Sequence, residues 1–204
     1  YLGKGVRVNT NLELSGEAIK GSFSTTKNNY KNSNKSVSFS LQADEVDRLT
    51  DFGYKSNKMG FSAGTRFEYL EDLNLGLGTS TYYERIETDN TASARQKKQA
   101  GNYFDNFVNF EIDFDKRNQK YQTSDGFRSY YSLDLPLISE TNTLINTYSY
   151  SNYSEIFDKN IFKTSFYAKS AFSITDDDIK LSERLNLPSS KLRGFEFGKI
   201  GPKD

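Results

Sequence analysis

Met59-Gly60-Phe61-Ser62-Ala63-Gly64-Thr65-Arg66-Phe67-Glu68-Tyr69-Leu70-Glu71-Asp72-Leu73-Asn74-Leu75-Gly76-Leu77-Gly78-Thr79-Ser80-Thr81-Tyr82-Tyr83-Glu84 has a period of two on both sides of a polar pair. Met59, Phe61, Ala63, Thr65, Phe67 and Tyr69 occupy one parity, against Gly60, Ser62, Gly64, Arg66 and Glu68. After Glu71-Asp72 the pattern resumes, with Leu73, Leu75, Leu77, Thr79, Thr81 and Tyr83 opposed to Asn74, Gly76, Gly78, Ser80 and Glu84. Successive side chains of a strand point to opposite faces, so this is a hairpin with one apolar and one polar face. Each arm reaches ten residues or more, the length a tilted transmembrane strand needs and well above the usual strand of about 5–6.

The same alternation runs through the rest of the chain. Val6, Val8, Thr10, Leu12 and Leu14 form one series, Ile19 and Phe23 another, and Val37, Phe39, Leu41 and Ala43 a third. Further on come Phe104, Val108, Phe110, Ile112 and Phe114, opposed to Asp105, Asn109, Glu111, Asp113 and Asp115. Phe127, Tyr131, Leu133 and Leu135 face away from Arg128, Tyr130, Ser132 and Asp134. Leu144, Tyr148 and Tyr150, then Phe166, Ala168, Phe172 and Ile174, complete about nine strands. Tight turns are expected at Glu71-Asp72 and at 139–142, and long loops at 44–56 and 87–101. A turn or two of helix is expected within 92–100, and 17–20 is too short for one. Short turns at one end and long loops at the other are the habit of transmembrane barrels.

A soluble sandwich also alternates, burying the apolar face of each strand. Strand length argues for the barrel, as do aromatics near the ends of the apolar series, Phe67 and Tyr69, Tyr82 and Tyr83, which suit interfacial girdles. The expected fold is all-β, an antiparallel transmembrane β-barrel, incomplete, with about nine strands of a larger barrel. Phe61, Phe67, Leu75, Leu77, Phe110, Ile112, Leu133 and Phe172 are then expected to face lipid, and Arg66, Glu84, Glu111 and Arg128 the lumen. Arg128 should find a carboxylate there, because an unpaired charge in a water-poor interior is costly.

Composition narrows the function. With 27 Lys plus Arg against 27 Asp plus Glu, the chain lacks the basic excess that a nucleic-acid partner wants. Aromatics reach 15%, with 16 Phe and 14 Tyr, which disordered chains lack. The sequence holds no Cys and no His, which removes the usual zinc ligands, thiol nucleophiles and imidazole bases. No nucleophile–base pair stands out, no enzyme is expected, and no cofactor or metal is implied. The acidic run Asp176-Asp177-Asp178 lacks the ligand spacing of a calcium loop and is expected to be a solvated loop. No apolar run approaches the length of a membrane helix. The chain opens on Tyr1 with no signal peptide, inside apparent structure, and is expected to be a fragment.

Two motifs go further. Leu187-Pro188-Ser189-Ser190-Lys191-Leu192-Arg193-Gly194-Phe195 is followed by Gly198-Lys199-Ile200-Gly201-Pro202-Lys203-Asp204. Upstream, Thr123-Ser124-Asp125-Gly126-Phe127-Arg128 leads into Leu133-Asp134-Leu135-Pro136. Together, and in this order along membrane-length strands, they resemble the BamA family of outer-membrane assembly barrels. There an Arg-Gly-Phe or Arg-Gly-Tyr element lies at the tip of an extracellular loop that folds back into the barrel, with a Gly-Pro pair after it. The second motif resembles the family's Thr-Asp-Gly turn, with Ser124 inserted. The stretch before Arg193 departs too, carrying Leu187-Pro188-Ser189-Ser190 where many members have Gly-Gly. TamA and two-partner secretion transporters share the Arg-Gly element, and Ile200-Gly201-Pro202-Lys203-Asp204 favours BamA.

The resemblance implies that residues 1–204 belong to one C-terminal barrel domain of the bacterial outer membrane. Residues 1–175 would carry strands, roughly the third to the eleventh of sixteen, and 176–204 the inward-folded extracellular loop, with the periplasmic POTRA domains absent. It implies a non-enzymatic insertase whose partners are nascent outer-membrane β-barrel proteins, assembly-complex lipoproteins and membrane lipid; a related transport barrel is the alternative. Its site residues would be Leu192, Arg193, Gly194, Phe195, Gly201 and Pro202 at the loop tip, Arg128 as a lumenal brace, and Thr123, Asp125 and Gly126 at the turn. Arg193 is expected to bond a carboxylate or carbonyl inside the barrel, with Phe195 packed beside it.

Overall fold

A computed structural model describes residues 5–157, 160–175 and 177–185, Asp51 through its backbone alone. Nine strands run β1 Val6–Leu14, β2 Ala18–Lys27, β3 Lys35–Arg48, β4 Tyr54–Leu70, β5 Leu73–Thr88, β6 Gly101–Asp115, β7 Gly126–Ser139, β8 Thr143–Phe157 and β9 Asn160–Ser173. Each pairs antiparallel with the next in one sheet ordered β1 to β9. Among the described residues nothing joins β9 back to β1, so the sheet is an arc of barrel wall, all-β and incomplete.

The pairing keeps parity across the sheet. Phe39 lies beside Ala63, Ala63 beside Thr79, Thr79 beside Val108 and Val108 beside Leu135. The next row inward reads Ser40, Ser62, Ser80, Phe107 and Pro136. Phe61, Leu77, Phe110, Ile112 and Phe172 all lie exposed on the outward face. Glu84 and Asp105, on the inward face, are 0% exposed. A soluble sandwich would bury the first set and wet the second. The inverted arrangement is what a barrel in lipid requires, since its outside meets hydrocarbon and its polar groups must be satisfied within.

Three expectations need correction. Residues 44–56 are not a long loop. β3 continues to Arg48 and β4 starts at Tyr54, with a single helical turn, α1 Leu49–Phe52, closed by Gly53 at φ +71°. The pairs Val46 with Ser56 and Arg48 with Tyr54 extend the ladder, and the charges along it find partners on both faces, Arg48 donating inward to the Tyr54 hydroxyl at 3.5 Å and Lys55 meeting Glu45 on the outward face at 2.5 Å. Long and short connections are also not sorted by end. The two-residue turn 71–72 shares its end with 116–125, and 89–100 shares the other end with 140–142. Tyr82, placed with Tyr83 among the girdle aromatics, has the opposite parity. It faces inward, 6.4 Å from the Phe107 ring and 4.3 Å beneath Lys58 Nζ. Gly60 makes room for it, since a Cβ there would lie 2.4 Å from the Tyr82 ring. The helix expected within 92–100 is one turn, α2 Ala94–Lys97, started by a reciprocal cap between Ser93 and Gln96.

Candidate functional site

The inward face of β4, β6 and β7 carries the first charged group. Arg128 Nε and Nη2 donate to the two Asp113 carboxylate oxygens at 2.8 and 2.9 Å. Arg66 also donates to Asp113 through Nη2. One carboxylate, its side chain only 5% exposed, thus joins three strands through two half-exposed guanidiniums. The planar forks make this geometry available to Arg and not to Lys.

The Thr123-Ser124-Asp125-Gly126 turn sits just before Arg128. Lys116 N donates to Phe127 O at 2.8 Å and Asn118 N to Asp125 O at 3.1 Å, which continues the ladder past both strand ends. Asn118 Oδ1 accepts from the Ser124 and Asp125 amides at 3.2 and 3.3 Å. Thr123 Oγ1 donates to Gln119 O at 2.7 Å. Gly126 has φ +94°, and a Cβ there would come within 2.1 Å of Lys116 O. Only glycine fits. The turn delivers Arg128 to Asp113 at a set height on the wall.

The second group lies near the opposite end and involves the segment after β9. Residues 177–185 fold back across the inward face. Lys180 is fully buried; its Nζ donates to Asp105 Oδ2 at 2.5 Å and forms ion pairs with Glu84 Oε2 at 3.0 Å and Glu183 Oε1 at 3.2 Å. The wall supplies a hydroxyl to the other oxygen of each wall carboxylate, Ser56 Oγ to Glu84 Oε1 and Ser139 Oγ to Asp105 Oδ1, each at 2.5 Å. Ser182 Oγ adds a bond to Glu84 Oε2 at 2.9 Å. Beside this polar cluster Leu181 packs with Tyr54 and Ile86, against Phe52 and Tyr103. Burial by itself would lower the Lys180 ammonium, but Glu183, Glu84 and Asp105 outweigh it and hold the group above its ordinary range. Burial pushes the Glu183 carboxyl up, with Lys180 opposing.

Loop 89–100 also holds the segment, through Arg95 and Gln99. Arg95 grips Asp178 through two bonds of 2.9 and 2.5 Å, and this lowers the Asp178 carboxyl. Gln99 Nε2 donates to Ile179 O at 3.3 Å. Asp178 is therefore a partner of Arg95, not merely a solvated charge. Below these contacts the inward face borders a polar groove of about 880 Å³, lined among others by Lys58, Tyr82, Glu111, Tyr130 and Asp134.

Sequence reasoning reached Arg128 and the turn but missed Lys180. The usable signal was indirect: Glu84 and Asp105 fall on inward parity in neighbouring strands, and such a pair of acids needs a cation. Nothing in the polar run around Lys180 marks it as that cation. The loop-tip residues Leu192, Arg193, Gly194, Phe195, Gly201 and Pro202 lie outside the described residues.

The sequence profile of the Omp85 superfamily domain matches residues 1–204. The chain belongs to the Omp85 superfamily. No curated protein sequence matches it. Among solved structures this Omp85 chain is similar to BamA from Haemophilus ducreyi lacking POTRA domains 1–3, with a TM-score of 0.83 at 16% identity. The match covers 98% of this chain and 42% of that one, so the Omp85 chain spans less than half of that relative. The likeness extends over the whole nine-strand arc and concerns the fold. This Omp85 sheet is a section of wall from an outer-membrane barrel.

Proposed function

We propose that this Omp85 chain is part of an insertase that folds β-barrel proteins into the bacterial outer membrane. The observation that carries the reading is the segment after β9, turned into the barrel and tied to the wall through Lys180. In this reading residues 177–185 are the stem of the extracellular loop whose tip holds Leu192, Arg193, Gly194 and Phe195, with Gly201 and Pro202 behind it. Arg193 braces the tip inside the lumen. No covalent step and no cofactor is involved. Client chains, the nascent outer-membrane barrels, pair with a strand edge at a weak seam of the complete barrel, which satisfies backbone groups that lipid cannot. β1 to β9 form the wall that holds the loop in place, lipid covers the outward face, and assembly lipoproteins are the accessory partners.

Depletion of the intact gene product tests this. Folded outer-membrane barrels of many kinds are expected to fall together. Loss of one exported protein with barrel assembly intact would instead establish the second reading, a TamA-like or two-partner secretion transport barrel, which the polar groove favours. Within the insertase reading, Arg193→Ala is expected to lower the yield of assembled barrels with strand content unchanged. Wild-type yield together with an equally protease-resistant loop would refute the bracing role.

A further inference from the structure

We propose that Lys180 is the positioning residue of a dry charge latch that clips the stem of the post-β9 segment onto β5 and β6, separately from any contact made by the loop tip. The ammonium has three donors, and the three short contacts go to carboxylates of β5, β6 and the segment itself, Glu84, Asp105 and Glu183. All four side chains are at most 5% exposed. On the wall, Ser56 and Ser139 each satisfy one oxygen of Glu84 and Asp105, and the other oxygen of each points at Lys180. The wall is thus a preformed acidic socket, and the segment brings the matching cation.

The socket also sets register. Ile179 and Leu181 flank Lys180 in sequence, so a slip of one residue would press an aliphatic side chain onto two buried carboxylates and leave them without a cation. Buried polar groups serve specificity in this way when the alternatives strand a charge. Leu181 completes the fit from the other side, against Tyr54 and Ile86. Tyr103, whose ring centroid lies 5.2 Å from Lys180 Nζ, donates its hydroxyl to Gln99 O at 2.7 Å. Gln99 in turn bonds Ile179 O, so the latch and loop 89–100 meet at one place. The stem is therefore located by the wall before the tip is considered, and a loop whose tip contact is lost keeps its base.

The test is a labelling experiment on the intact gene product in membranes, otherwise free of cysteine and carrying Leu181→Cys as a reporter, with a maleimide probe. With Lys180 present the buried thiol should label slowly. Lys180→Met, which keeps length and removes charge, should speed labelling at least tenfold. Adding Glu84→Gln and Asp105→Asn to Lys180→Met removes both wall charges, leaving Glu183 of the segment as the one carboxylate of the cluster, and should return the rate close to the starting value. Parental labelling in Lys180→Met overturns the proposal, and so does a triple variant that labels as fast as Lys180→Met. If Lys180→Met yields no folded barrel on an unheated gel, recovery of that band in the triple variant supports the latch, and equal failure of both overturns it. Arg193→Ala should leave the reporter protected; exposure equal to that of Lys180→Met would show that the tip, and not the latch, holds the stem. The readout is loop docking, so it stands or falls independently of whether the barrel inserts proteins.

Discussion

Asp113 shows how one residue organises a wall. Arg66 and Arg128 approach it from β4 and β7 and share its two oxygens. Each guanidinium is about two-fifths exposed and the carboxylate is nearly covered, so the three positions are not equivalent. Arg66→Ala or Arg128→Ala leaves Asp113 one partner and should cost only about 0.5–1 kcal/mol, in the range of partly screened pairs. The double variant abandons a covered carboxylate and should cost about 2–3 kcal/mol, more than the sum of its parts. Unfolding midpoints in detergent check this, and strict additivity would mean the shared carboxylate couples nothing. At the exposed Arg95–Asp178 clasp, Arg95 lowers the Asp178 carboxyl. A depressed acid contributes stability above its unfolded value, about 3.9, and loses it as pH falls through the lower folded value. Proteolysis of loop 89–100 should therefore be flat from pH 8 to about 5 and rise only in stronger acid, and Asp178→Asn should abolish that acid step.

At the scale of elements, the connections do more than link strands. Residues 116–125 prolong the β6–β7 ladder and close it at Gly126, where a positive φ and a Cβ that would fall 2.1 Å from Lys116 O leave no room for a side chain. Gly126→Ala is expected to cost on the order of 2 kcal/mol or more, about 1–2 from the left-handed backbone and the rest from displacing Lys116. Because the turn sets the height of Arg128, the variant should also weaken the Asp113 contact. A midpoint shift no larger in Gly126→Ala than in Gly5→Ala, at a position with φ +74° but open space around it, would show that the close approach is immaterial. The joined ends of β3 and β4 make the complementary point, since a charged stretch that reads as a loop extends the ladder once its charges find partners, Lys55 with Glu45 on the outward face and Arg48 with Tyr54 on the inward one.

For the whole molecule, the outward face is apolar and exposed while the inward face is polar and paired, and this ordering makes sense only in lipid. Leu77→Arg should destabilise the membrane-embedded barrel by about 2–4 kcal/mol if it lies near the midplane and less toward either interface. Ser62→Arg, one residue from Phe61 on the opposite face, should be tolerated far better. Equal shifts for the two substitutions in lipid vesicles would contradict the facing. Residues 1–204 expressed alone present β1 and β9 as open edges and should aggregate or require detergent. A monodisperse, β-rich species in plain buffer would speak against the membrane assignment.

What the order of residues determines here is local. A period of two, sustained over arms such as Met59–Tyr69, sets strand type, facing and approximate number, because the pleat ties parity to face whatever the neighbours are. The polar break between two alternating arms likewise marked Glu71-Asp72, and the resemblance to a Thr-Asp-Gly turn marked Gly126. Tyr82 and Tyr83 sit side by side in sequence on opposite faces, and reading both as girdle aromatics set aside the parity that separates them. Tertiary structure decided where charge is paired at a distance. Arg66 meets Asp113 across 47 positions, Arg95 meets Asp178 across 83 and Lys180 meets Asp105 across 75. No periodicity encodes these meetings, because which height of β6 comes level with Arg66 on β4 depends on the registers of both hairpins between them. Lys180 is legible as a buried cation only once the chain has curled and brought the segment after β9 back over acids laid down 75 or more residues earlier.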